Sequence, residues 1–410
     1  MSLFREIPPT AGWPLALKNL LPAFLDTKNK NRLDEDFKNY LPSAYAKVVY
    51  SGTAALFFIL ESIKKLSPKK TVVIPAFVCP LVALAIKRTN LKIQVCDTNP
   101  DDFGFDLNRL NEICAKNTDI LAVLAVHLAG LPVDCQALIQ ITKQNQAFLI
   151  EDCAQSLGAE YKNKKTGTLG DFAFFSLCRG KGLTIYEGGL ITSKNPEYAA
   201  CLEETINQLA KRDILSESLK VAELFAYWIF YRPRLFWFAF RLPQLYWLAR
   251  NDKVRALGDY FTEDFPTHKV SDLRKAVGHM NFSRLETMLA GQRQKAKLYL
   301  EALRDIPGIK SIGELPGTKA SWPYLTVLFD KKENRDIALK TLRALGSGVS
   351  QVYLSAITDY TYLKNIISQA DCPNAQSIAD REITLSTSVF LNPSEITLLA
   401  QTIRKVADNR

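Results

Sequence analysis

The chain has 410 residues, 47% hydrophobic and 23% charged, a profile that excludes disordered, collagen-like and disulfide-stapled proteins. Lys and Arg number 52 against 42 Asp and Glu, for a net charge of +10. That excess suits phosphorylated ligands, nucleic acid or an anionic membrane surface. No Cys-x-x-Cys pair occurs among the eight cysteines, so no clustered metal site is expected.

In chain order, the first residues show no charged head followed by an apolar run, so no signal peptide is expected. From about Val48 to Lys211, short β-branched runs alternate with helical patterns. Candidate strands cover 71–75, 91–97, 119–126, 147–152, 172–177 and 188–193. Near-continuous apolar strands joined by helices predict a mostly parallel sheet covered on both faces. Ligands of such sheets sit beyond the carboxyl ends of the strands, so the residues just after each strand matter most.

Leu224 to Leu248 is rich in aromatics, but Arg232, Pro233, Arg234, Arg241 and Pro243 break its apolar runs. No run approaches the ~20 residues that span a bilayer. Two readings stand: packing against a domain or second subunit, or contact with a membrane surface. Residues 270–306 read as one long amphipathic helix or two abutting ones. A smaller α+β part follows, with strands at PYLTVLF, VSQVY and EITLST and helices at NRDIALKTLRALG and PSEITLLAQTIRKV. The division expected is a large domain, 1–250, and a small one, 251–410, joined near the loop 251–269. Scattered basic residues without an arginine-rich tail or reader module argue against nucleic acid.

Four places combine unusual residue types at strand ends or helix starts. Ser51-Gly52-Thr53-Ala54 precedes a helix, where free N–H groups suit a phosphate, although an ordinary N-cap looks the same. Glu151-Asp152 closes an apolar strand, with Gln155 just beyond. Lys181 stands between Gly180 and Gly182, soon after the strand that ends at Ser176, where a lysine can form a Schiff base. His127 ends another strand; a satisfied core histidine is the plain reading, a cofactor contact the alternative. A strand-end carboxylate and a lysine 29 residues later meet the two needs of pyridoxal 5′-phosphate chemistry: a partner for the pyridine nitrogen and a covalent anchor.

The pieces SGTAAL, VIPAF, VHLAGLPVD, IEDCAQSLGAEY, GTLGDFAFFSL and GKGLT followed by EGG occur in this order. With them the chain resembles the DegT/StrS group of sugar aminotransferases, most clearly from Tyr50 to Gly189. The resemblance implies the α/β architecture of fold-type I pyridoxal-phosphate transferases: a large domain with a mostly parallel sheet plus a smaller C-terminal α+β domain. It makes Lys181 the Schiff-base lysine and Asp152 the partner of the ring nitrogen, with Gln155 near the phenolic oxygen. Gly52, Thr53, Ala54 and Ser176 would hold the phosphate, and His127 would lie beside the cofactor. The implied reaction moves an amino group from L-glutamate to a keto-sugar, nucleotide-linked, in a cytoplasmic homodimer. Peripheral membrane contact through 224–248 is the further possibility.

Three departures accompany the resemblance. Cys79 stands where many members stack an aromatic on the ring. Arg179 replaces a frequent proline. Thr267-His268-Lys269 replaces the N-x-R element that reaches a neighbour's cofactor phosphate. Dehydration of the sugar goes in this family with histidine in place of the lysine, so Lys181 argues against it. A non-catalytic member docked on a membrane polysaccharide assembly is the other alternative.

Overall fold

The structure is a computed structural model that describes residues 4–25 and 32–408. Its centre is a seven-stranded sheet. Across the sheet the strands run Tyr45–Val49, Gly189–Ser193, Phe172–Ser176, Phe148–Asp152, Ile120–Val126, Thr71–Pro75 and Lys92–Cys96. Only Gly189–Ser193 opposes the direction of the rest, since it pairs antiparallel with both neighbours. The other pairings are parallel. Two interior strands, Ile120–Val126 and Thr71–Pro75, are buried at every position, as a sheet covered on both faces requires.

All six strands expected from apolar runs are present within one residue or so of their expected ends. Tyr45–Val49 was not expected. It is an edge strand whose first three residues are only half-buried, so its pattern lacks the apolar signal. Residues 270–306 resolve into two abutting helices, Asp272–Phe282 and Leu285–Ala302.

A second, antiparallel sheet of Ile309–Ser311, Tyr324–Phe329 and Glu382–Ser386 carries the C-terminal part. The expected strand VSQVY does not form; Ser350 makes only an isolated bridge to Thr384. Gly346 and Gly348, both at positive φ, turn the chain there so that it passes along the N-terminal segment. The main core runs through both sheets and binds the two parts into one body of packing.

The aromatic stretch is helical apart from a break at Tyr231 and Arg232: Ile214–Phe230, Pro233–Phe236, a five-residue π turn Trp237–Arg241, and Leu242–Ala249. Pro233 sits at a helix start, after the extended Arg232, where the missing N–H costs least, whereas Pro243 follows the π turn directly within a continuous helical run. No helix among the described residues is long and apolar enough to cross a membrane.

Candidate active site

The carboxyl ends of the parallel strands meet a helix start, and the expected residues gather there. Ser51 caps the helix Gly52–Leu66, its Oγ accepting from the Ala54 N–H at 3.0 Å. The Ala54 donor is therefore already engaged, and the first N–H groups, at Gly52 and Thr53, have no partner within a helix. A side chain on Gly52 would touch Ser176 Cβ at 3.4 Å, so the Ser176 hydroxyl lies beside this helix start. On the other side Gly189 packs so closely that an added Cβ would overlap the Ser51 carbonyl and approach Gly52 N to 2.7 Å. Two glycines thus let a strand, a helix start and a serine side chain come close together, an arrangement that suits a phosphate.

Asp152 ends its strand buried, its Oδ1 accepting from the Ala154 N–H at 3.0 Å. Burial, opposed in part by the Ala154 N–H and the nearby Lys181 and His127, leaves its pKa raised to about 6. Lys181 is half-buried on the turn that begins at Gly180, whose φ of 78° a side chain would disfavour. Trp13 of the N-terminal segment packs on the next glycine, Gly182, and the Thr10 hydroxyl donates to the Gly180 carbonyl. Cys79 belongs to the same group: burial lifts its thiol to about 12, with Asp152 and Lys181 both within electrostatic reach. The thiol is neutral at physiological pH and too small to cover a ring alone.

Gln155 is held by two donors to its Oε1, the Ala129 N–H at 2.9 Å and the Tyr324 hydroxyl at 2.5 Å. Because the Ala129 N–H can only donate, the amide orientation is fixed and the NH2 is left for a ligand oxygen. Ala129 takes a left-handed φ of 55° to present that N–H. Tyr324, Tyr353 and Asp259 complete this side of the cleft, Tyr353 lying within reach of Cys79, Asp152 and Asp259. Nothing in the sequence marked these three, because isolated tyrosines and aspartates far along the chain carry no motif.

His127 is placed elsewhere. The register pairs Val126 with Asp152, so His127 and Glu151 lie on the opposite face of the sheet from Asp152. The ring is fully buried; Nδ1 accepts from the Val133 N–H at 3.2 Å and Nε2 meets Glu151 at 3.1 Å. Both nitrogens are taken, which is the plain reading of a satisfied core histidine. Glu151 accepts three further N–H bonds, from Gly167, Leu169 and Gly170, at 2.7–2.8 Å. Burial would raise its pKa, but His127 and these donors hold it below the ordinary carboxylate value. His127, Cys135 and Glu151 cluster as metal ligands would, yet these bonds already occupy the histidine and the carboxylate. The element after the aromatic stretch is also turned inward. His268 is buried against the Tyr50 ring and 3.0 Å from Glu217, which also binds Arg274 and the Ser271 N–H.

A buried acid, a lysine and a phosphate cradle around one parallel-sheet edge define an α/β enzyme built for a phosphorylated, ring-containing cofactor. The chain belongs to the DegT/DnrJ/EryC1/StrS aminotransferase family, whose model matches residues 20–217 and 255–404. It is 31% identical over 159 residues to GDP-perosamine synthase of Escherichia coli O157:H7, covering 38% of this chain and 43% of that one. It is 24% identical to dTDP-4-dehydro-2,3,6-trideoxy-D-glucose 4-aminotransferase of Saccharopolyspora spinosa, over 92% of this chain and 88% of that one. Among solved structures, PseC of Helicobacter pylori, an aminotransferase involved in pseudoaminic acid biosynthesis, superposes with a TM-score of 0.77. That match covers 99% of this chain and 100% of PseC at 17% identity. The enzyme is a pyridoxal-phosphate-dependent aminotransferase, and the residues of the cleft fit that cofactor: an acid, an anchoring amine, an amide donor and a cradle that a Cβ would fill.

Proposed function

We propose that the protein moves the amino group of L-glutamate onto the carbonyl carbon of a keto-sugar borne on a phosphate-containing carrier. In the named relatives above that carrier is a nucleotide, GDP or dTDP. The convergence of Asp152, Lys181 and the helix start at Gly52 on one strand edge carries this reading.

Bound there, pyridoxal 5′-phosphate supplies an electron sink for the pair left behind when the donor loses its Cα proton. Asp152 keeps a proton on the ring nitrogen and so maintains the sink. Lys181 would anchor the cofactor and, as a free amine, would take up the proton lost from the donor's Cα and give one back. Gln155 would direct its free NH2 at the ring oxygen, while Gly52, Thr53 and Ser176 would hold the phosphate. Cys79, with Tyr353 close to it, would border the bound ring, Tyr353 supplying the bulk that a thiol lacks.

A homodimer is supported by Ile214, Leu215 and Leu219, exposed on one helix beside the Glu217 network. A reducing cytoplasm is supported by the eight free cysteines. Contact of 224–248 with a membrane surface is supported by arginines interleaved with exposed aromatics. The test is to load the protein with cofactor, add L-glutamate, and follow the absorption spectrum and release of 2-oxoglutarate. Wild type should convert; Lys181→Ala should keep its fold and lose conversion altogether. A Lys181→Ala protein converting at the wild-type rate would end the assignment.

A further inference from the structure

The family match stops at residue 217 and resumes at 255, and residues 218–254 build something of their own. Their helix is tied to the lysine loop: Lys220 lies 2.9 Å from Glu187, and the Tyr227 hydroxyl donates to the Trp13 carbonyl at 3.0 Å. Between helix and loop lies a cavity of about 490 Å³, well within the size of small-molecule sites. Arg179 and Gly180 form one wall, and Tyr227, Phe230, Phe236 and Phe240 the other. Lys181 follows Gly180 directly. Phe236 and Phe240 stack at 5.0 Å to make a flat apolar side.

Outside this cavity the same segment stays greasy. Phe238 is 50% exposed, Leu242 and Tyr246 are each 49% exposed, and Phe230 is 40% exposed while also lining the cavity. Across 218–254 the cations are Lys220, Arg232, Arg234, Arg241, Arg250 and Lys253, against two acids, Asp252 and Glu223, the latter also lining the cavity. Exposed aromatics with a cationic excess match an anionic membrane surface in both polarity and charge. A nucleobase can also stack on an aromatic slot, but each buried methylene of an apolar chain tightens binding by a factor of about four. Such a chain also suits the exposed apolar and cationic surface outside the cavity as a nucleotide does not.

We propose that this cavity takes the apolar chain of a lipid-linked phosphate, so that the acceptor sugar is presented from a membrane rather than from solution. Arg179 would meet the phosphate, and the sugar would extend past Gly180, which lines the cavity, to its chain neighbour Lys181. The inference rests on the aminotransferase reading and narrows its substrate to carriers with a hydrocarbon chain.

The probes are farnesyl diphosphate and inorganic diphosphate, titrated calorimetrically into the cofactor-loaded protein. Farnesyl diphosphate should bind at least tenfold more tightly, and should protect 223–240 in hydrogen exchange. Ala239→Trp, which fills the cavity, should cut that affinity at least tenfold. If that variant does not fold, the exchange footprint on wild type decides. Equal affinity for the two probes, no binding, or protection elsewhere, including a cavity already filled by a second subunit, overturns the proposal. Conversion by L-glutamate in the same preparation is read separately: its failure would sink the aminotransferase reading, whereas a failed farnesyl titration would sink only the lipid carrier.

Discussion

Gly189→Ala isolates the phosphate cradle from every group that carries charge. Gly189 pairs with Val49 on one side and Ser176 on the other. An added Cβ would overlap the Ser51 carbonyl and stand 2.7 Å from Gly52 N, where ordinary contact begins at 3.4 Å. Relief requires at least ~0.7 Å of movement, and more at the carbonyl, by the strand or by the helix start, both backbone in a packed core. A shift near 1 Å in a positioning element costs on the order of a hundredfold in rate. We therefore expect cofactor affinity and the rate of conversion by L-glutamate each to fall about a hundredfold. Far-ultraviolet circular dichroism should be unchanged, because the strand retains its hydrogen bonds. Spectrophotometric titration with pyridoxal 5′-phosphate and a stopped-flow glutamate reaction measure both. Values within threefold of wild type would show that this cradle is not where the phosphate binds.

Three further outcomes follow from the buried carboxylates. Glu151→Gln replaces an acceptor of four bonds with an amide that must aim N–H at N–H, and should cost about 3 kcal/mol or more in chemical denaturation. A loss below about 1 kcal/mol would contradict that role. Burial raises Glu382 from 4.5 to about 8, which burdens the folded state increasingly as pH climbs between those values, with a ceiling of about 5 kcal/mol. Glu382→Gln cannot ionise, so its melting temperature should exceed wild type at pH 8.5 and match it at pH 5; equal melting at both would refute this. Asp152, raised to about 6, is ionised only above that pH. Cofactor uptake should weaken about tenfold per unit below pH 6 and be flat in Asp152→Asn; a wild-type profile flat from pH 5 to 7.5 would count against the pairing.

Much of the strand pattern was legible because a parallel sheet covered on both faces demands runs such as ILAVLAV, which few other structures use. The positions of Asp152 and Lys181 relative to strand ends were equally legible, since each follows its strand by local chain geometry. What a residue faces beyond its own strand was not. His127 and Asp152 both end strands, but a register set by cross-strand pairing sends them to opposite faces, one to Glu151 and one to the cleft. Tyr324 reaches Gln155 across 169 residues of chain, and no local pattern encodes such a contact. The aromatic stretch shows the same division. Composition announced that it was apolar and cationic, while the tertiary fold determined that its helix would roof a cavity beside the lysine loop, because only packing brings residues 226–240 against 179–180.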